Sequence, residues 1–181
     1  MSPPSQMSPS RNTAFEREVA GRFGLVPKFF VSAPDAPELI ERLWNFAKSG
    51  YLDNPIPSVF KERLFVYLSR FCQVRYCILR HCGFLLGYGN SSGDPQAEPQ
   101  SIGEAITLLK KEPPWSRNSD AWLSALESTP YFQDWPASES ELEDQIFVAA
   151  TIVFVEPGKS ERARSALRKV LGGKRYEFLI G

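Results

Sequence analysis

The stretch "SVFKERLFVYLSRFCQVRYCILRHCGF" (58–84) determines the fold prediction and also holds the side chains best suited to catalysis. Its apolar residues recur mostly three and four positions apart, as on one face of an α-helix. All three cysteines and the only histidine of the 181-residue chain lie in its second half. The pattern predicts helix, which either runs directly through the cysteines or resumes after a break. The cysteines indicate a reactive site or a sulfur-rich core.

Helical patterns continue upstream of this stretch. The segment "AFEREVAGRFG" (14–24) has apolar residues at spacings of four, and Gly24 is a suitable stop. The next segment, "PDAPELIERLWNFAKSG" (34–50), offers Asp35 as an N-cap and Gly50 as a terminator. Both segments therefore predict amphipathic helices.

Downstream, two capping-box patterns mark further helix starts. Ser101 with Glu104 and Ser138 with Glu141 each place a hydroxyl three residues before a carboxylate. The apolar run "FVAATIVFV" (147–155) follows the second box, and we interpret it as helix rather than strand. The predicted fold class is therefore all-α, as a helical bundle.

The length fits one domain, which we place at residues 13–181. Residues 1–12 are rich in serine and proline and almost without apolar side chains, so we expect a flexible leader there. At the other end, "RYEFLIG" (175–181) begins an apolar helical pattern. We expect a helix that is truncated at Gly181 or that continues into another module.

Charge and hydropathy exclude several classes of protein. The chain has 21 basic and 21 acidic residues, so no net field favours nucleic acid or an anionic membrane. Its longest apolar runs are about half of the roughly 20 residues that a membrane span requires. Three clustered cysteines differ from a secreted disulfide framework, so we expect reduced thiols and a cytoplasmic location.

Cys77 and His81 form the closest pair of reactive side chains. On one helix, residues four apart lie roughly 40° apart and can touch, whereas Cys72 and Cys82, each five positions from Cys77, lie roughly 140° away. A thiol beside an imidazole is the minimum of an activated nucleophile, but two buried helix residues give the same spacing. A metal site would need further ligands, and the chain has one histidine and no CxxC. We therefore predict no metal and no cofactor.

The stretch resembles the carboxymuconolactone decarboxylase and alkylhydroperoxidase D (AhpD) superfamily of small all-helical proteins. Its members carry a glutamate followed by a Cys-x-x-Cys-x-x-x-His helix, and here Glu62, Cys77 and His81 match that motif, with Tyr76 before the cysteine. Val74 stands where the first cysteine would be. The resemblance covers residues 13 to about 90 and implies an AhpD-like helical bundle.

In peroxidase members, the resemblance implies, one cysteine attacks a hydroperoxide and the other resolves it, while glutamate and histidine relay the proton. Val74 removes the partner thiol, so we expect a degenerate redox site of Glu62, Cys77 and His81. A thiol-dependent hydroperoxidase that uses Cys77 is the alternative, resolved by Cys72, Cys82 or an outside thiol. A decarboxylase-like or purely structural protein is a third interpretation.

Similar domains stand at the amino-terminal end of bacterial sensor proteins, which implies a ligand-binding or oxidation-sensing module. Expected partners are therefore a small molecule or hydroperoxide, and a signalling module or dithiol reductant. Family members assemble into trimers and larger rings, so we also expect a homo-oligomer.

Overall fold

The computed structural model describes residues 14–72, 74–112 and 118–180. Over these ranges the chain forms α-helices and no β-strand, which confirms the all-α prediction. The expected leader, residues 1–12, lies outside the described ranges. The helices are α1 (Ala14–Phe23), α2 (Pro37–Ala47), α3 (Ser58–Cys72), α4 (Arg75–Leu85), α5 (Ile102–Lys110), α6 (Ser119–Ser128), α7 (Glu141–Val155), α8 (Ser160–Leu171) and α9 (Gly173–Ile180).

Helix α2 differs from its prediction at both ends. Its N-cap is Ala36 rather than Asp35, because Pro37 occupies the first helical position, where a fixed φ and a missing N–H are best tolerated. Gly50 does not terminate it. The chain continues from Ala47 into a π-helical turn, Lys48–Leu52, and only then leaves helical geometry.

The serine caps explain where α5 and α7 begin. Ser101 and Glu104 form the predicted capping box at the start of α5. The prediction for α7 was two residues early, since its N-cap is Ser140, whose hydroxyl accepts the N–H of Glu143. Both serines of this segment precede a glutamate by three positions, so spacing alone does not distinguish them, and the Glu143 carboxylate pairs with Arg63 instead of completing a capping box.

That ion pair joins α3 to α7 inside the protein. Arg63 Nε and Nη2 donate to the two carboxylate oxygens of Glu143 at 2.7 and 2.8 Å, and the two side chains are 0% and 1% exposed. Arg63 also donates to Gln100 Oε1 at 3.0 Å, and the Glu139 N–H donates to the carboxylate of Glu143. Every strong donor and acceptor of the pair therefore has a partner, as burial of charge demands.

The apolar core has two parts, and α4 contributes a buried residue to each of them. The larger cluster packs α3, α5, α6, α7, α8 and α9 together with Leu85 of α4. The smaller one gathers α1, α2 and the turn Lys28–Val31, and Phe84 of α4 joins it by stacking on Phe23 with ring centroids 5.4 Å apart. None of the helices in the described part of the chain is long and apolar enough to cross a membrane.

Candidate functional site

The break between α3 and α4 sets the position of Cys77. Helix α3 ends at Cys72, and Val74 is extended, with φ −90° and ψ 93°, as the N-cap of α4. The angle of roughly 140° expected between Cys72 and Cys77 therefore does not apply, because the two residues belong to different helices. Val74 and Cys77 instead occupy the N-cap and third positions of α4, the arrangement of a cysteine pair at a helix start.

Glu62 lies at the centre of the site, with its side chain fully buried. Its Oε1 accepts hydrogen bonds from the Tyr51 hydroxyl at 2.5 Å and from the Ser92 N–H at 2.6 Å. The Ser92 hydroxyl lies 3.0 Å from the same oxygen. Its Oε2 is 2.7 Å from Nδ1 of His81. A buried carboxylate with this many partners is fixed in place and satisfied.

His81 is held by its ring as well as by Glu62. The imidazole stacks on Phe65 with centroids 4.8 Å apart and an interplanar angle of 17°, and its side chain is 16% exposed. A carboxylate at Nδ1 favours the tautomer that carries the proton there, which leaves the lone pair on Nε2. The Glu62–His81 pair is thus built to present Nε2 as a base.

Ser92 adopts a left-handed backbone conformation that non-glycine residues rarely occupy, with φ 45° and ψ 35°. This conformation directs its N–H to Glu62, and the hydroxyl also lies 3.2 Å from the Ser58 carbonyl oxygen. Its neighbour Ser91 donates to the Phe84 carbonyl oxygen at 3.0 Å, which ties the turn to α4. Strain of this kind persists where the surrounding contacts enforce it.

Tyr51 reaches Glu62 because Lys61 holds the π-helical turn. Lys61 Nζ donates to the carbonyl oxygens of Tyr51 and Leu52 at 2.6 and 3.0 Å. Burial lowers the pKa of Lys61 to about 8. Burial, together with the neighbouring Glu62 carboxylate, raises the pKa of Tyr51 well above its usual value. Tyr51 is therefore a neutral phenol whose hydroxyl donates a hydrogen bond to Glu62.

The thiols differ in their surroundings. Cys77 is a free, half-buried thiol, and among the described residues its sulfur makes no hydrogen bond to His81, one turn further along α4. Cys82 packs against the larger core cluster, and burial raises the pKa of its thiol. Cys72 is described only in its backbone. The structure thus brings Glu62 and His81 into contact and leaves Cys77 beside the pair.

Sequence reasoning missed Tyr51 and Ser92. Tyr51 was hidden by the expectation that the helix stops at Gly50, since a π-helical turn has no clear sequence pattern. Ser92 lies in "GNSSGDP" (89–95), a pattern that predicts a turn and nothing more specific. No periodic pattern connects either residue to Glu62, so only the tertiary structure could reveal them.

In ranges 14–72, 74–112 and 118–180, no group of three or more histidine, cysteine, aspartate or glutamate side chains is placed to hold a metal ion. The chain matches no protein-family model, no curated protein and no solved structure.

Proposed function

We propose that the chain is an AhpD-like domain with a degenerate redox site of Glu62, Cys77 and His81, and that it senses oxidation or a small ligand for a bacterial signalling protein. The observation that supports this proposal best is the 2.7 Å contact between Glu62 Oε2 and His81 Nδ1. It supplies the acid–base half of a thiol site, and Cys77 lies one turn away on the helix that carries His81.

The proposed chemistry begins with transfer of the Cys77 thiol proton to His81 Nε2, through a bridging water or after rotation of a side chain. The thiolate sulfur then attacks one oxygen of a hydroperoxide, so an S–O bond forms as the O–O bond breaks. The departing alkoxide takes the proton from His81 and leaves as an alcohol. Cys77 is oxidised to a sulfenic acid, and two equivalents of an external thiol restore it by way of a mixed disulfide, with release of water.

This one-thiol cycle is expected to signal rather than to remove hydroperoxides. Treated with excess tert-butyl hydroperoxide, the protein should consume about one equivalent per chain, and dimedone should label Cys77 as a sulfenic acid. Because an external thiol also resets this cycle, dithiothreitol should support only slow turnover, and fast, sustained consumption with dithiothreitol would instead favour the hydroperoxidase alternative. Absence of a dimedone adduct at Cys77 would contradict both redox functions.

Val74→Cys should convert the site into a dithiol. Val74 is 44% exposed at the N-cap of α4, so cysteine fits there with a stability cost below roughly 1 kcal/mol. Mild oxidation should then remove two titratable thiols, dithiothreitol should restore them, and hydroperoxide turnover should exceed that of the parent. The matched control is Leu79→Cys, on an exposed part of the same helix, which should form no such bond with Cys77. A folded Val74→Cys protein that keeps all its thiols under oxidant would refute the AhpD-like geometry.

Self-association is a further part of the proposal. Several large apolar side chains are exposed, including Phe46 at 70% and Leu79 at 74%, and the absence of net charge does not oppose contact between copies. Sedimentation at tens of micromolar should therefore detect an oligomer. A monomer throughout that range would remove this expectation without affecting the thiol chemistry.

A further inference from the structure

A shallow groove of about 450 Å³ lies on the face of α4 next to the Cys77–His81 face. Its lining combines exposed apolar or aromatic side chains with two cations and contains no carboxylate. The lining residues are Lys28, Tyr76, Leu79, Arg80, Gly83 and Tyr88. A volume of this size accommodates a ring system with one or two acidic substituents.

Arg80 places a cation at the groove and is held there by aromatic rings. Its guanidinium lies over the ring of Phe84 at 5.4 Å from the centroid and over Tyr76 at 6.0 Å. These cation–π contacts orient the guanidinium without using its N–H donors. Within the described part of the chain, neither Arg80 nor Lys28 forms an ion pair or donates a hydrogen bond. Two cations therefore face a groove with no counter-charge from the residues that line it.

A defined helix C-cap fixes the backbone at one end of the groove. Helix α4 ends in a Schellman motif, in which the Tyr88 N–H donates to the Gly83 carbonyl oxygen at 2.8 Å and the Gly87 N–H to that of Phe84 at 3.1 Å. Gly87 has φ +84°, which a side chain at this position would oppose. The motif fixes the backbone of Tyr88, whose ring is 74% exposed, against the end of the helix.

We propose that this groove binds a small amphipathic anion, of the class of aromatic carboxylates, with its acidic group on Arg80 and Lys28 and its apolar body against Tyr76, Leu79 and Tyr88. The proposal goes beyond the redox function, because none of its residues belongs to the Glu62–Cys77–His81 site. It adds a ligand class and a binding surface on the helix that also carries the thiol.

Calorimetric titration of the full chain with 2-naphthoate tests the groove. We expect saturable binding with a Kd on the order of 0.1–1 mM and at least about tenfold weaker binding of the neutral 2-naphthamide. Arg80→Gln should weaken 2-naphthoate binding by about tenfold and Lys28→Gln by about threefold. The matched control is Lys174→Gln, an exposed lysine of α9, which should bind like the parent.

The same titration separates this proposal from the redox function. Cys77→Ser should leave the affinity for 2-naphthoate unchanged, whereas it abolishes the sulfenic acid. Equal affinity for the acid and the amide, unchanged binding in folded Arg80→Gln, or no saturable binding up to several millimolar would each overturn the groove assignment. Should Arg80→Gln lose its helical circular dichroism, Lys28→Gln, in an exposed turn, decides the result.

Discussion

Arg63→Met should lower the free energy of unfolding by about 3–5 kcal/mol, because it leaves the Glu143 carboxylate buried without its partner. The pair is bidentate and 0% and 1% exposed, so water cannot replace the guanidinium. The substitution also removes the donor to Gln100. Urea unfolding followed by circular dichroism measures the loss. Because Arg63 links α3 to α7, we also expect its loss to destabilise α3, the helix that carries Glu62.

Two further variants show whether burial of charge is the cause. Arg63→Met combined with Glu143→Met replaces both charges with apolar groups and should recover most of the lost stability. Arg162→Met removes two partly exposed ion pairs, with Glu127 and with Asp120, and should cost no more than about 1 kcal/mol. If Arg63→Met costs no more than Arg162→Met, the buried pair does not hold α3 and α7 together.

This ion pair also illustrates what the sequence can and cannot predict. The all-α fold followed from helical spacing and from caps such as Ser101 with Glu104, since these depend on neighbouring residues. Arg63 and Glu143 are 80 positions apart, and no local pattern connects them. The motif spacing selected Glu62 and His81, which the structure brings into contact. The local pattern left open whether the helix breaks within the cysteine segment, and the break at Val74 places Cys72 on a separate helix from Cys77.

Glu62→Gln should preserve the fold and slow the chemistry of Cys77 by at least about tenfold. Glutamine keeps the shape of the side chain, and its carbonyl oxygen can still accept from Tyr51 and Ser92. Its amide group would donate to Nδ1 of His81, which forces the proton of the neutral ring onto Nε2. His81 would then no longer present an unprotonated Nε2 as a base. Dimedone trapping after a fixed exposure to hydroperoxide measures the rate.

Nitrogen NMR of the His81 ring reports its tautomer, which a general loss of structure would not switch from one nitrogen to the other. The chain has one histidine, so its ring resonances need no assignment among several residues. At mildly alkaline pH the parent should carry its proton on Nδ1, and Glu62→Gln should move it to Nε2. Glu98→Gln, an exposed carboxylate in the loop before α5, is the matched control and should change neither the tautomer nor the rate. A parent protein with its proton on Nε2 would contradict the proposed role of Glu62.

The most direct test of the redox site is the alkylation rate of each cysteine near pH 7, measured by mass spectrometry with limiting iodoacetamide. We expect Cys77 to react at least about tenfold faster than Cys82, whose burial raises its thiol pKa, and His81→Ala to slow Cys77 selectively. Leu79→Ala, an exposed position on the same helix, should leave the rate of Cys77 unchanged. Equal rates for Cys77 and Cys82, or a Cys77 rate that His81→Ala does not alter, would contradict an activated thiol at this site.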